Sequence, residues 1–158
     1  MGYVIVRYNK EIRFYGFGHW FPGHPEAEVF NNLESARSKA IELGNSTVIE
    51  NYDREGEKVI FATEPAGKIL FLINKFPGFY SRIPERIRKD WDAVAFDKWA
   101  SETPIADTEF ETAQFILMVW DYRNKWRSGR FYIPDVLNKW DGQSKKVVLD
   151  WVNDPFFL

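Results

Sequence analysis

From Phe110 to Trp120 the chain reads Phe-Glu-Thr-Ala-Gln-Phe-Ile-Leu-Met-Val-Trp, and from Ala113 onward its apolar residues fall on nearly every side of a helix. A helix that is apolar all round is stable only when other elements enclose it, so this stretch predicts a central buried helix with the rest of its domain packed around it. Asp107 stands where an N-cap belongs. Glu109 and Glu111 follow in the first turn, where the helix dipole favours acids, and Gly129 is the expected end.

Helix signals flank this segment on both sides. Pro84 suits a first helical position, and Ile87, Trp91, Val94, Ala95 and Lys98 share one face, which predicts a helix running to about Ala100 before Thr103-Pro104 breaks it. After Gly129, Pro134 starts a short helix to Trp140, Asp141-Gly142 turns, and Ser144 caps a last helix to about Val152. Phe76-Pro-Gly-Phe79 reads as a turn, and the apolar run Lys68 to Asn74 fits either a helix or a strand.

The N-terminal part carries strand signals instead. Tyr3 to Tyr8 and Ile12 to Phe17 are rich in β-branched and aromatic residues around the polar break Asn9-Lys10-Glu11, which predicts a hairpin. His19 to Pro25 reads as a loop and Glu28-Val29-Phe30 as a short extended piece. Asn31 and Glu34 then resemble a capping box, Leu33, Ala36, Ala40 and Leu43 form a narrow apolar stripe, and Gly44 is the stop. Thr47 to Tyr52, the turn Asp53-Arg-Glu-Gly56 and Lys58 to Thr63 complete a second hairpin.

The fold class expected is therefore α+β: an antiparallel sheet with one packed helix, followed by a Trp-rich helical region of about four helices. The boundary falls near Pro65-Ala66-Gly67, dividing a ββ(β)αββ module of residues 1–66 from a helical part of residues 67–158, with the two packed as one domain or as separate subdomains. A length of 158 residues allows one full core or two small ones. With no Cys, disulfide frameworks, thiolate metal sites and thiol nucleophiles are excluded. No run approaches a membrane span and the first residues lack a basic leader, so the expectation is a cytoplasmic protein without membrane contact.

Aromatic residues make up 18% of the chain, and they concentrate usefully in one place. In Trp120 to Tyr132, Arg123, Lys125, Arg127 and Arg130 alternate with Trp126, Phe131 and Tyr132. Such interleaving lets cations hold carboxylates or phosphates while rings supply contact area or stack on bases. The structural alternative is a helix end whose cations complement the dipole, with Trp126 in the core. A second basic group, Arg82, Arg86, Arg88 and Lys89, sits at the start of the helix expected from Pro84, where either an anion or acidic partner or the neighbouring Glu85 and Asp90 would answer it. His19 and His24 would need Glu26 or Glu28 to hold a metal, and their spacing matches no metal motif, so neither metal nor cofactor is expected. The carboxylate pairs Asp90 with Asp97, Asp92 with Asp97, and Asp107 with Glu111 offer acid/base chemistry in principle. Asp121, following the apolar helix, is the better candidate for a perturbed carboxylate.

Tyr3-Val-Ile5, the glycine-containing second strand, Trp20, Ala27-x-Val29-Phe30, the Ser- and Ala-containing helix and the Val48-Ile49 strand together resemble small α+β proteins of bacteriophages and prophages, over roughly the first third of the chain. The resemblance implies a mobile-element protein, a class that often acts by binding a host factor, including nucleases of host defence. A net charge of −2 argues against a dedicated polyanion binder. The expected function is a non-enzymatic protein-interaction module that meets an acidic protein through its basic aromatic surface. Single-stranded nucleic-acid binding and a small carboxylate enzyme are the alternatives.

Overall fold

The computed structural model describes residues 2–9, 11–16, 18–22, 27–50 and 58–158. The strands are β1 (Tyr3–Asn9), β2 (Glu11–Gly16), β3 (His19–Phe21), β4 (Thr47–Glu50) and β5 (Lys58–Ala62). The helices are α1 (Leu33–Leu43), α2 (Pro65–Asn74), α3 (Phe79–Arg82), α4 (Glu85–Lys89), α5 (Ala93–Glu102), α6 (Asp107–Asp121), α7 (Ile133–Leu137) and α8 (Gly142–Asn153). The protein is α+β, with the helical region following the sheet and four of its helices reaching ten residues or more. Contacts divide the chain into one compact unit of Met1–Asn74 with Pro84–Trp91 and a second of Lys75–Ile83 with Asp92–Leu158.

In the first unit the sheet order is β3-β2-β1-β4-β5 and every neighbouring pair is antiparallel. Alternation along β1 sorts the core. Ile5 joins Tyr15 and Val48 on the face that receives Ala36 and Ala40 of α1, while Val4 and Val6 join Phe14 and Ile49 on the other. Two alanines on the helix stripe permit its close approach to the sheet. The α1 cap is Asn32, whose side chain accepts from Ser35 N–H at 2.8 Å, and not Asn31 as the spacing suggested. At the other end Gly44 turns the chain with φ 59°, and Arg7 from β1 donates to the carbonyls of Leu43, Gly44 and Asn45, satisfying acceptors the helix leaves open. The same guanidinium lies 4.1 Å from the Trp20 ring centroid.

Several boundaries differ from the sequence expectation. His19–Phe21 is an edge strand paired to β2, because Tyr15 and Trp20 pack edge to face at 5.6 Å on a half-buried surface that favours strand. Pro65 opens a helix instead of a linker. That helix, α2, packs on β5 and β1, with Gly67 pressed against Thr47 and Ala62. The helix expected from Pro84 to Ala100 is two: Asp90 is extended, and the Asp92 side chain accepts from Val94 and Ala95 N–H, starting α5 afresh. Val94 is exposed as a result, and the single face proposed for that segment does not exist. The turn Asp53–Gly56, with Asn51, Tyr52, Lys10, Phe17, His24 and Glu26, lies outside the described residues.

The second unit is built on α6, whose Ala113, Phe115, Ile116, Leu117 and Val119 are all 0% exposed. Phe115 packs against Phe76, Phe131 and Trp151 with ring centroids 5.2 to 5.9 Å apart, in steep edge-on arrangements. Phe76 continues to Phe79 and Trp140, and Phe79 to Phe96 and Trp99, so one connected set of rings fills this core. Ala106, not Asp107, is the N-cap of α6, with Glu109 accepting from its N–H, and Asp141, not Ser144, caps α8. The tail docks: Leu158 N–H donates to Val119 O, Trp151 Nε1–H to Phe156 O, and Phe157 packs on Tyr122 and Trp151. Among the described residues no helix is long and apolar enough to cross a membrane.

Candidate functional site

α6 ends at Asp121, eight residues before the glycine expected to close it, because the Asp121 side chain accepts from Arg123 N–H and its carbonyl accepts from Trp126 Nε1–H at 3.0 Å. The indole thus occupies a carbonyl that the helix terminus leaves open, and the chain beyond it turns back along the helix. Gln114, Met118 and Tyr122, spaced at i, i+4 and i+8, form one wall of a cleft of about 400 Å³. Arg123, Asn124, Trp126, Gly129, Arg130 and Phe131 of the returning segment form the other.

That segment is held at its centre from two helices. Asp97 on α5 is 5% exposed, and its carboxylate accepts from Arg127 N–H at 2.8 Å, Ser128 N–H at 2.9 Å and Ser128 Oγ–H at 2.6 Å. Gln114 on α6 donates its amide to Ser128 O. Gly129 follows with φ 80°, a left-handed conformation that glycine adopts without strain. A loop rich in exposed cations is therefore fixed by neutral backbone donors meeting one buried charge.

The predicted residues separate into different roles. Arg123 and Arg130 line the cleft and form no ion pair among the described residues, and Lys125 is exposed on the same loop. Arg123 donates to the Tyr122 hydroxyl at 3.2 Å, a bond that raises the guanidinium pKa further. Trp126 is half-buried in the cleft wall and does not belong to the buried ring cluster, contrary to the core role weighed for it. Arg127 is taken by Glu102 at 2.9 Å, and Tyr132 stands exposed just before α7. Arg82 pairs with Glu109 at 3.2 Å. Arg86 and Arg88 are carried by α4 in the first unit, where, with the long helix broken, they and Lys89 occupy a last turn that favours cations, so the argument for an anion at a helix start lapses.

Asp121 is exposed and engaged in local capping, which corrects its reading as the buried carboxylate. Among the described residues the buried acids are Asp97, Glu111 and Glu64. Glu111 accepts from Lys139 Nζ and Trp140 Nε1–H, both at 2.8 Å, and this bond is the main reason the Lys139 pKa is raised. Glu64 accepts from Tyr8 N–H and Thr47 Oγ1–H. Asp92 is a helix cap, so the pair Asp92 with Asp97 has separate structural duties. Among the described residues no three His, Asp or Glu side chains are grouped to hold a metal, and His19 lies exposed in β3. Asp97 stands out in the sequence only as a member of acid/base pairs with Asp90 and Asp92, and the structure makes it the anchor of Arg127 and Ser128 instead; Gln114 is there only a polar interruption in an apolar run.

No protein family, curated protein or solved structure matches the chain. The functional reading rests on the cleft.

Proposed function

We propose that the chain is a non-enzymatic interaction module that binds an acidic protein partner through the loop of residues 122–132 and the cleft it borders. The observation that supports this most is the fixing of the loop by Asp97 and Gln114. Cations presented from a segment already ordered bind without the entropic cost of ordering it, and among the described residues Arg123, Lys125 and Arg130 form no ion pair. The resemblance of residues 3–52 to phage and prophage proteins supports a host factor, such as a defence nuclease, as that partner.

Single-stranded nucleic acid is the second reading, since Trp126 and Phe131 stand beside Arg123 and Arg130. Arg123, Lys125 and Arg130 make a short track for a polyanion, and a chain of net charge −2 adds no long-range attraction. Affinity capture from host-cell lysate, with and without nuclease, tests the choice. A specific protein retained after nuclease and lost on Arg123→Glu with Arg130→Glu supports the first reading. Retention that nuclease abolishes, with a steep salt dependence, supports the second.

A further inference from the structure

We infer that the cleft takes one large apolar side chain of the partner, flanked in the partner's sequence by carboxylates; this rests on the acidic-partner reading and specifies what that partner presents. The cleft holds about 400 Å³, near the lower end of the range for ligand pockets of ~300 to 1,000 Å³. That space suits a single anchor residue and not a run of bases. Its lining is mixed in a particular way. Met118 supplies an adaptable apolar surface, as methionines do at sites that accept varied side chains. Trp126 contributes its ring with the indole N–H already satisfied by Asp121 O, so the indole asks the ligand for no acceptor. Gln114 is likewise engaged through its amide nitrogen by Ser128 O. The apolar faces of Met118, Trp126 and Phe131 share the cleft with polar atoms of Gln114, Tyr122 and Asn124, and the charge on its border comes from Arg123 and Arg130, which complement acids beside the anchor. Gly129 is required by its backbone and not by space: φ is 80°, where a side chain would be strained, while a Cβ there would make only an ordinary contact, 3.5 Å from Gln114 Nε2. A buried apolar anchor within a charged rim is the arrangement by which small interfaces obtain most of their affinity.

The test uses the whole ¹⁵N-labelled protein and four probes: a blocked pentapeptide with Phe between pairs of Glu, its Phe→Ala and its Glu→Gln counterparts, and a pentamer of deoxythymidylate. The parent peptide should shift the Trp126 indole signal and the Asn124 and Gly129 amides, and either altered peptide should bind about tenfold more weakly, the scale expected for losing one buried large apolar group or its charged flank. Met118→Glu, which places a carboxylate in the cleft, should abolish the shifts while the remaining amide spectrum is preserved. Equal binding of the Phe and Ala peptides overturns the anchor and leaves the acidic-partner reading intact. Stronger shifts from the oligonucleotide than from the parent peptide overturn both. Shifts confined to other residues, or none with any probe, overturn the anchor and leave the broader reading to the capture experiment.

Discussion

The carboxylate of Asp97, buried on α5, accepts three hydrogen bonds from Arg127 and Ser128, thirty and thirty-one residues away in the chain. This relationship makes the basic aromatic stretch a shaped surface. Replacing Asp97 by Asn keeps the volume but sets an NH₂ group against one of the backbone donors. Hydrogen bonds to a charged group contribute ~1.5–3 kcal/mol, so Asp97→Asn should lower stability by about 2 kcal/mol. Amide exchange at Arg127 and Ser128 should accelerate more than elsewhere in the unit. Denaturant titration and hydrogen exchange read both effects, and unchanged exchange at these two amides would falsify the pinning role.

Cations on the loop should differ in what they do. Arg123→Glu and Arg130→Glu should each reduce capture of an acidic partner while thermal midpoints move little. Arg127→Glu should leave capture nearly intact, because that side chain already answers Glu102 in an exposed pair of small net value. Equal losses for all three would mean that bulk charge, and not the cleft, carries binding.

Gly67 in α2 tolerates no side chain. A Cβ built there would lie 1.9 Å from Thr47 Oγ1 and 2.7 Å from Ala62 Cβ. Gly67→Ala should therefore destabilise the first unit by ~1–3 kcal/mol, the usual cost of overpacking, even though alanine is the better helix former. Adding Thr47→Ala removes the nearer clash but also the hydroxyl that donates to buried Glu64, and the Ala62 contact remains, so the double variant should recover little of the loss in urea titrations.

Glu64 makes stability pH-dependent in a direction opposite to that of most acids. Burial pushes its carboxyl pKa above the ordinary 4.5, while the bonds from Thr47 and Tyr8 and the charge of Arg7 pull the other way. A carboxyl raised by folding holds its proton more tightly in the folded state. Its contribution is therefore complete below the unfolded pKa and is lost as pH rises through the folded value. Glu64→Gln should flatten that part of the curve when urea midpoints are compared from acid to neutral pH. An unchanged slope would assign the effect to another group.

Phe115 is 0% exposed and touches Phe76, Phe131 and Trp151. Phe115→Ala should cost ~3–5 kcal/mol, the range for truncating a buried aromatic. Near-ultraviolet circular dichroism should report loss of fixed ring packing before helix content falls.

What could be read from the sequence alone was whatever depends on near neighbours in the chain. The β-branched and aromatic runs of Tyr3–Tyr8 and Lys58–Thr63, the narrow stripe of Leu33, Ala36, Ala40 and Leu43, and the all-round apolar surface of Phe110–Trp120 each placed the correct kind of element, because strand propensity and the burial of a helix on one face or all faces are written into local composition and spacing. Fine boundaries were less legible: Asn31 against Asn32, or a break at Asp90, turns on which of two adjacent polar side chains reaches a backbone donor. Tertiary structure alone decided the site. Arg123, Arg127 and Arg130 look alike in the sequence, yet Glu102 claims one and leaves two at a cleft that Asp97 and Gln114 hold open. Those partners come from other helices. A hydrogen bond spanning thirty residues is specified by how α5 and α6 pack, and no local pattern encodes that.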